Sequence, residues 1–483
     1  MQHLEWLEEM TIGQLQEKLE NGEITSKELT FQYLRRIAAY DQKINAILEI
    51  NPDALQIAEA LDVERKMNGP RSRLHGIPIL IKDNIDTHDK MHTSAGSLAL
   101  KDSIAPRDSF VVRQLRKAGA VLLGKTNMTE WANFMAVGMK NGYSSRGGQV
   151  MNPYGPGKFD VGGSSAGSGA AVAANLAAAA VGTETSGSIL NPACRNSIVG
   201  IKPTVGLISR NGIIPIAHSQ DTAGPMARTV EDAVIVLNAL NGVDKEDPIT
   251  QTSPFYEVDF SKYLRADGLK GKRVGIAYEG FLEFLSKDRQ QIVRNAIEML
   301  KTTGAEIIEN IKVPSAKQPW SYDVLTYEFK PDLNAYLSKL DPSVPVRTLA
   351  DVIEFNKQNE SEMLKYGQAV LLESESTSGS LKEAAYIEAL AFDQYYSKEQ
   401  GIDFALKKYN LDVIVFPADE GSVISAKAGY PSIAVPAGYT ADTGLPVGIT
   451  FAGTAFSEPQ LIEAAYAFEH VTRFRRRPPL EQE

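Results

Sequence analysis

The chain of 483 residues contains one cysteine, Cys194, and three tryptophans. A single thiol cannot close an internal disulfide, which excludes a disulfide-stapled scaffold and is compatible with a reducing cytoplasm. Positive charge is also scarce. Fifty lysines and arginines face 60 acidic residues, a formal net charge of −10, and this balance argues against a strong pull toward nucleic acid or an anionic membrane. Long apolar runs are missing too: the most apolar stretch, Gly169 to Gly182, is mostly alanine and holds Asn175, short of the roughly 20 residues a membrane span needs. The opening MQHLEWLEEM has neither the basic start nor the apolar stretch of a secretory leader. These absences predict a soluble, cytoplasmic protein whose partner is small and uncharged or modestly charged.

What is present reads as an α/β chain. Residues 1–70 carry helical spacing: Ile12, Leu15 and Leu19 share a stripe, and Thr25 with Glu28 forms a capping box ahead of Leu29, Tyr33 and Ile37. From His75 short apolar runs (IPILI, AVLLG, VGIAY, VIVFP, SIAVP, VGITF) alternate with helical stretches, as in a large sheet covered by helices. Residues 315–410 are charged and helically spaced, a helical excursion. Ser457-Glu458-Pro459 opens a last helix with a capping serine and a proline in its first turn. Without repeats or a low-complexity linker, the expectation is one compact domain over 1–483, with its signature core at 75–240.

Three short motifs suggest other chemistry. GAVLLGKT, Gly119 to Thr126, fits the phosphate-loop pattern GxxxxGK[ST], but a helical pattern precedes it and AVLL is a strand, the reverse of the required order. GSSAG, Gly163 to Gly167, fits the nucleophile-elbow pattern with Ser165 at its centre, which demands a later histidine; His218 and His470 are the ones downstream. Cys194 follows a proline by two positions with no histidine nearby, and packing suits it better than nucleophilic chemistry.

The richer signal is DVGGSSAGSGAAVA from Asp160 and VGTETSGSILNPA from Val181, which gather serines among glycines. The small residues after Gly163 suit a helix of about ten residues, travelling roughly 15 Å. AAAVGTE then reads as a returning strand, and about five residues at 3.3 Å each recover that distance. Ser164 and Ser188 therefore meet at one end of the sheet. The helix start and the run Thr185-Ser186-Gly187-Ser188 direct backbone donors to the same spot, as a developing oxyanion requires. Lys82 ends the apolar strand PILIK. To serve as a base at pH 7 its pKa must fall by about 3.4 from about 10.4, roughly 4.6 kcal/mol, which burial can supply.

GGSSAGSGAAVA, GTETSGSI, the following IKPTVG and Lys82 after its apolar strand together resemble the amidase signature family, from about His75 to Arg477. The resemblance implies a large twisted mixed sheet wrapped on both faces by helices, and hydrolysis of amides through an acyl-enzyme. It also implies a triad in which Ser188 is the nucleophile, Ser164 bridges from a cis peptide after Gly163, and Lys82 is the base. Backbone N–H groups of Thr185, Ser186, Gly187 and Ser188 would hold the oxyanion, with Gly163, Ser165 and Asp221 in support and no metal or cofactor. Where many members carry arginine, in GSIRxPA, this chain has Leu190, which leaves Asp221 without that partner; Arg195 and Arg228 are the candidate substitutes.

Within the family, IPIAHSQDTAGPMARTVEDA, YEFK, FNK and TAFSEPQLIEAAYAFE are most similar to bacterial peptide amidases, which remove C-terminal amides of peptides. That similarity implies a single-chain enzyme for a small-molecule or peptide amide, with no nucleic-acid, membrane or obligate protein partner. Tyr322, Tyr327, Phe329 and Phe355 are the expected cleft wall in the excursion. Two alternatives stand beside it, a broad aryl and aliphatic amidase and the catalytic subunit of glutamyl-tRNA amidotransferase.

Overall fold

Two capping boxes open the folded chain, Thr11 with Gln14 at α1 (Ile12–Glu20) and Thr25 with Glu28 at α2 (Ser26–Ile44). Each satisfies N–H groups that a helix start leaves without an internal partner. The computed structural model describes residues 5–480; residues 1–4 of the acidic opening and 481–483 lie outside the described residues. Between α2 and α3 (Ala54–Asn68) lies β1 (Ile47–Ile50), an edge strand, so the helical expectation for the first 70 residues is corrected there. The core proper begins with β2 (Pro78–Lys82), α4 (Phe110–Lys117) and β3 (Val121–Thr126). A short hairpin of β4 (Tyr143–Ser144) and β5 (Gly148–Gln149) follows.

Next come α5 (Ala166–Ala173), β6 (Ala179–Glu184), α6 (Leu190–Arg195), β7 (Val199–Lys202), β8 (Thr222–Ala227) and α7 (Val230–Leu240). The helix and returning strand expected between the two serine loops are α5 and β6. β7 and β8 carry weak strand signals; Thr222–Ala227 contains Gly224 and Pro225, residues that disfavour strands on their own. Their strand form comes from neighbours: β6 pairs along one edge of β8 and β7 along the other.

The chain continues through β9 (Arg273–Ile276), α8 (Lys287–Lys301) and β10 (Glu306–Ile308). The helical excursion comprises α9 (Asp323–Leu337), α10 (Leu349–Gln358), α11 (Glu360–Met363), α12 (Ala369–Glu375), α13 (Ala384–Ser397) and α14 (Asp403–Tyr409). β11 (Val413–Pro417), α15 (Ser422–Ala428), β12 (Ser432–Tyr439), β13 (Pro446–Ala452) and α16 (Glu458–Thr472) complete the fold. Ser457 precedes α16 as expected, but its hydroxyl donates to the Thr454 carbonyl and caps nothing.

Eleven strands form one mixed sheet in the order β1-β3-β2-β6-β8-β7-β12-β13-β11-β9-β10. It is the large α/β sheet of a single compact domain. The excursion shares an apolar cluster with the loops around the sheet's end: Phe329 and Leu333 of α9 pack with Met128, Trp131, Phe134, Ile214 and Ile216. Among the described residues, no helix is long and apolar enough to cross a membrane. The phosphate-loop pattern is fully buried strand, with Lys125 Nζ donating to the Ile85 carbonyl and Thr93 Oγ1. No phosphate could reach that backbone.

Candidate active site

β2 runs parallel to β6, with Ile81 opposite Val181, so the carboxyl ends of both strands lie on one edge of the sheet. Strand ends of this kind are where open α/β sheets place their ligands. Lys82 thereby arrives beside Thr183. The loops before α5 and after β6 close over the same edge, and Ser165 N donates to the Ser188 carbonyl at 3.1 Å. Ser164 and Ser188 are thus brought together as the helix-and-strand geometry requires.

Lys82 is fully buried, and its Nζ is 2.7 Å from Ser164 Oγ, 2.9 Å from Thr183 Oγ1 and 3.2 Å from the Thr183 carbonyl. Burial disfavours the ammonium and lowers the pKa to about 7, against the opposing pull of the Glu184 and Asp221 carboxylates. A neutral amine has two N–H donors and one lone pair. The Thr183 carbonyl can only accept, and Thr183 Oγ1 already receives Asn84 Nδ2 at 3.0 Å. When the neutral amine donates to the Thr183 carbonyl and hydroxyl, its lone pair is left for Ser164.

Ser164 follows a cis peptide bond from Gly163, and its carbonyl receives Thr129 N at 3.1 Å. A side chain at Gly163 would come within 2.6 Å of Thr129 Oγ1 and 2.8 Å of Asn141 Oδ1, so glycine is needed for this close approach. Ser188 is nearly buried, and its hydroxyl makes no hydrogen bond among the described residues. The turn before it passes through Gly187 at φ +80°, a conformation side chains resist.

Two carboxylates brace this turn, Glu184 buried and Asp221 half-buried. Glu184 Oε2 accepts from Ile189 N at 2.7 Å and Leu190 N at 3.0 Å. The Gly187 N–H also faces that carboxylate. Of the four N–H groups expected to face an oxyanion, those of Thr185, Ser186 and Ser188 form no hydrogen bond among the described residues. Asp221 Oδ1 accepts from Thr185 Oγ1 at 2.5 Å, and its Oδ2 accepts from Ile216 N and Ala217 N at 2.8 and 3.0 Å. Burial raises the Asp221 pKa to about 6. These donors occupy the place of a cationic partner. Arg228 is spent on the Val172, Ala177 and Met10 carbonyls, and Arg195 makes no hydrogen bond to Asp221, so neither fills the role considered for it.

Ser165 makes no hydrogen bond to Lys82 or to a histidine among the described residues. Its Oγ donates to the Thr183 carbonyl and accepts from Thr183 N. His218 bonds Asp332, and His470 stacks on Tyr466 at the far helix; the nucleophile-elbow order is therefore not assembled. Cys194 is buried, and burial pushes its thiol pKa up, away from reactivity.

Beside these groups opens a cavity of about 350 Å³. Asn84, Thr183, Thr185 and Asp221 form its floor, Ile213 to Ile216 an apolar wall, and Asp332, Tyr336 and Lys339 the opposite side. One hydroxyl, that of Thr183, separates it from the lysine.

A model of the amidase family matches residues 28–462. The chain belongs to the amidase family. The amidase is 44% identical to the native peptide amidase of Stenotrophomonas maltophilia, covering 98% of this chain and 99% of that one with a TM-score of 0.92. A probable amidase of Arabidopsis thaliana is 41% identical over 98% of this chain and 92% of its own. A glutamyl-tRNA(Gln) amidotransferase component from Thermoanaerobacter pseudethanolicus is 33% identical over 97% of this chain and 98% of its own. The protein is an amide hydrolase.

The four aromatic residues expected to line a cleft lie elsewhere in the amidase. Phe329 is fully buried with its ring edge-on to Phe134, Phe355 packs on the same apolar cluster, and Tyr327 contacts Tyr386. Tyr322 is exposed ahead of α9. The excursion still walls the cavity, through Asp332, Ala335, Tyr336 and Lys339. Thr183, Asn84 and Glu184 escaped the sequence reading as functional positions. Their signal was polar residues directly at the carboxyl ends of apolar strands.

Proposed function

We propose that the enzyme hydrolyses C-terminal amides of peptides to the free acid and ammonia, with Lys82, Ser164 and Ser188 as its catalytic residues. The observation that carries the proton relay is the 2.7 Å contact of buried Lys82 with Ser164, in the loop that touches Ser188. Neutral Lys82 takes the Ser164 proton while Ser164 takes the Ser188 proton, and Ser188 Oγ bonds to the amide carbon. The carbonyl electron pair moves onto oxygen, where the N–H groups of Thr185, Ser186 and Ser188 are available to it. As the carbon–nitrogen bond breaks, the relay runs backward and protonates the departing ammonia. Water then repeats the attack on the acyl-Ser188 ester and releases the acid. Every proton moves between side chains of this chain, substrate and water.

The peptide preference is supported by the 44% identity to a peptide amidase over nearly the whole of both chains. A cavity with an apolar wall, lined in part by the excursion, suits the side chain of the amidated C-terminal residue. We propose further that the chain works without a partner subunit. The test is ammonia release from an amidated dipeptide, an aliphatic amide and glutamine, with wild type beside Ser188→Ala and Lys82→Ala. The expected result is turnover of the dipeptide amide, lost in both variants. Full activity in either variant refutes the relay, and glutamine as sole substrate favours the amidotransferase-like reading.

A further inference from the structure

His218 lies on the segment between the apolar cavity wall and Asp221, and both its ring nitrogens face carboxylates of α9. Nδ1 is 2.9 Å from Asp332 Oδ2 and Nε2 is 3.5 Å from Glu328 Oε1. Nδ1 is hydrogen-bonded to Asp332, Nε2 stands at ion-pair distance from Glu328, and two carboxylates beside one ring favour its doubly protonated form. Other contacts fasten the same two elements: His218 N donates to Asp332, Ser219 N and Oγ donate to Glu328, and Tyr386 OH of α13 donates to Glu328. A few residues along, Asp221 holds Ile216, Ala217 and the Thr185 hydroxyl.

We infer that His218, as an imidazolium, is a positioning residue that clasps α9 to the 213–221 segment, fixes the apolar wall of the substrate cavity and thereby governs KM. The inference rests on amide hydrolysis at this cavity and holds for whichever amide is turned over. A metal ion fits the cluster less well. It would have to displace one ring nitrogen from its carboxylate and take oxygens of Glu328 already engaged by Ser219 and Tyr386.

The charges around the ring are Glu328 and Asp332 from α9, Asp221 on its own segment, and Arg210, whose guanidinium donates to the His218 carbonyl and pairs with Asp247. The hydrogen bond to Asp332 raises the His218 pKa above its ordinary value, burial opposing. The sign follows. The clasp is closed below that raised pKa and released as pH rises through it, whereas Lys82 needs rising pH to lose its proton.

The test compares KM against pH for wild type, His218→Gln and Asp332→Asn, with the His218 ring followed by NMR titration. In wild type, KM is expected to rise about threefold or more across the His218 transition, with kcat unaffected by that transition. In His218→Gln, KM should be elevated at low pH and flat. In Asp332→Asn the transition should move to lower pH, carrying the KM rise with it. A flat wild-type KM, or an unchanged KM profile in His218→Gln, overturns the inference. If His218→Gln fails to fold, coincidence of the wild-type KM rise with the ring titration decides, absence of coincidence counting against it. Loss of all turnover in Lys82→Ala bears on the relay alone.

Discussion

Thr183 Oγ1 stands 2.9 Å from Lys82 Nζ and also receives the Asn84 amide, so a single hydroxyl aims the amine and forms part of the cavity floor. It favours the charged amine by accepting from it. In Thr183→Val the Lys82 pKa should therefore drop and the rising limb of activity move to lower pH. Asn84 would lose its acceptor, and stability should fall by about 1–3 kcal/mol. Thr183→Ser should restore both. Paired pH-rate profiles and thermal melts check this; an unmoved limb in Thr183→Val would show that the hydroxyl does not touch the base.

If the proposed relay operates, Lys82 sets the pH dependence of kcat. Its pKa is lowered by burial to about 7, and the proposed relay needs the neutral form. kcat should fall about tenfold per pH unit well below the midpoint and level off above it. Lys82→Ala should lower kcat by about 10²–10⁴-fold with little change in KM. A pH-independent kcat between pH 5 and 8 would contradict the assignment.

Ser165 separates the relay from the nucleophile-elbow reading. Its hydroxyl pairs with both polar groups of the Thr183 backbone. Ser165→Ala should cost about 1–3 kcal/mol of stability by leaving the buried Thr183 N–H unpaired. Activity should stay within a few-fold of wild type. Complete inactivation of a folded variant, judged by circular dichroism, would reinstate Ser165 as a candidate nucleophile.

Asp221 restrains the turn before Ser188 through Thr185, with no arginine hydrogen-bonded to it among the described residues. Asp221→Ala removes the acceptor for three donors, and stability should decline by roughly 1–3 kcal/mol or more. kcat should fall more than KM rises if, as proposed, the N–H groups of the turn act on the oxyanion that forms during reaction. Removing the negative charge should also lower the Lys82 pKa. An unchanged kcat would show that the turn is held without Asp221.

How much of this was legible beforehand varies from element to element. The capping box at Thr25 and the strand ending in Lys82 follow from local chemistry, because side-chain spacing and backbone hydrogen bonding act over three or four residues. The serine loops were legible as a pair, since a helix of small residues and a returning strand must cover equal distances. β8 was not. With glycine and proline inside it, its extended form is imposed by β6 and β7, neighbours distant in sequence. The aromatic residues of the excursion were legible as helix but not as core: Phe329 and Phe355 face an apolar cluster whose other half comes from residues 128–139 and 214–217.

The sequence by itself determined the residue types of the proposed reaction, two hydroxyls and an amine set at strand ends among small residues, because covalent chemistry and local backbone geometry need no distant partner. Tertiary structure alone decided that the amine is dry, that Thr183 stands within hydrogen-bond reach of it, that Asp221 is held by two backbone N–H groups and a hydroxyl, and that His218 lies beside two carboxylates. Each of those depends on what surrounds a group in space, and desolvation and hydrogen-bond competition arise between segments that meet only after the sheet has formed.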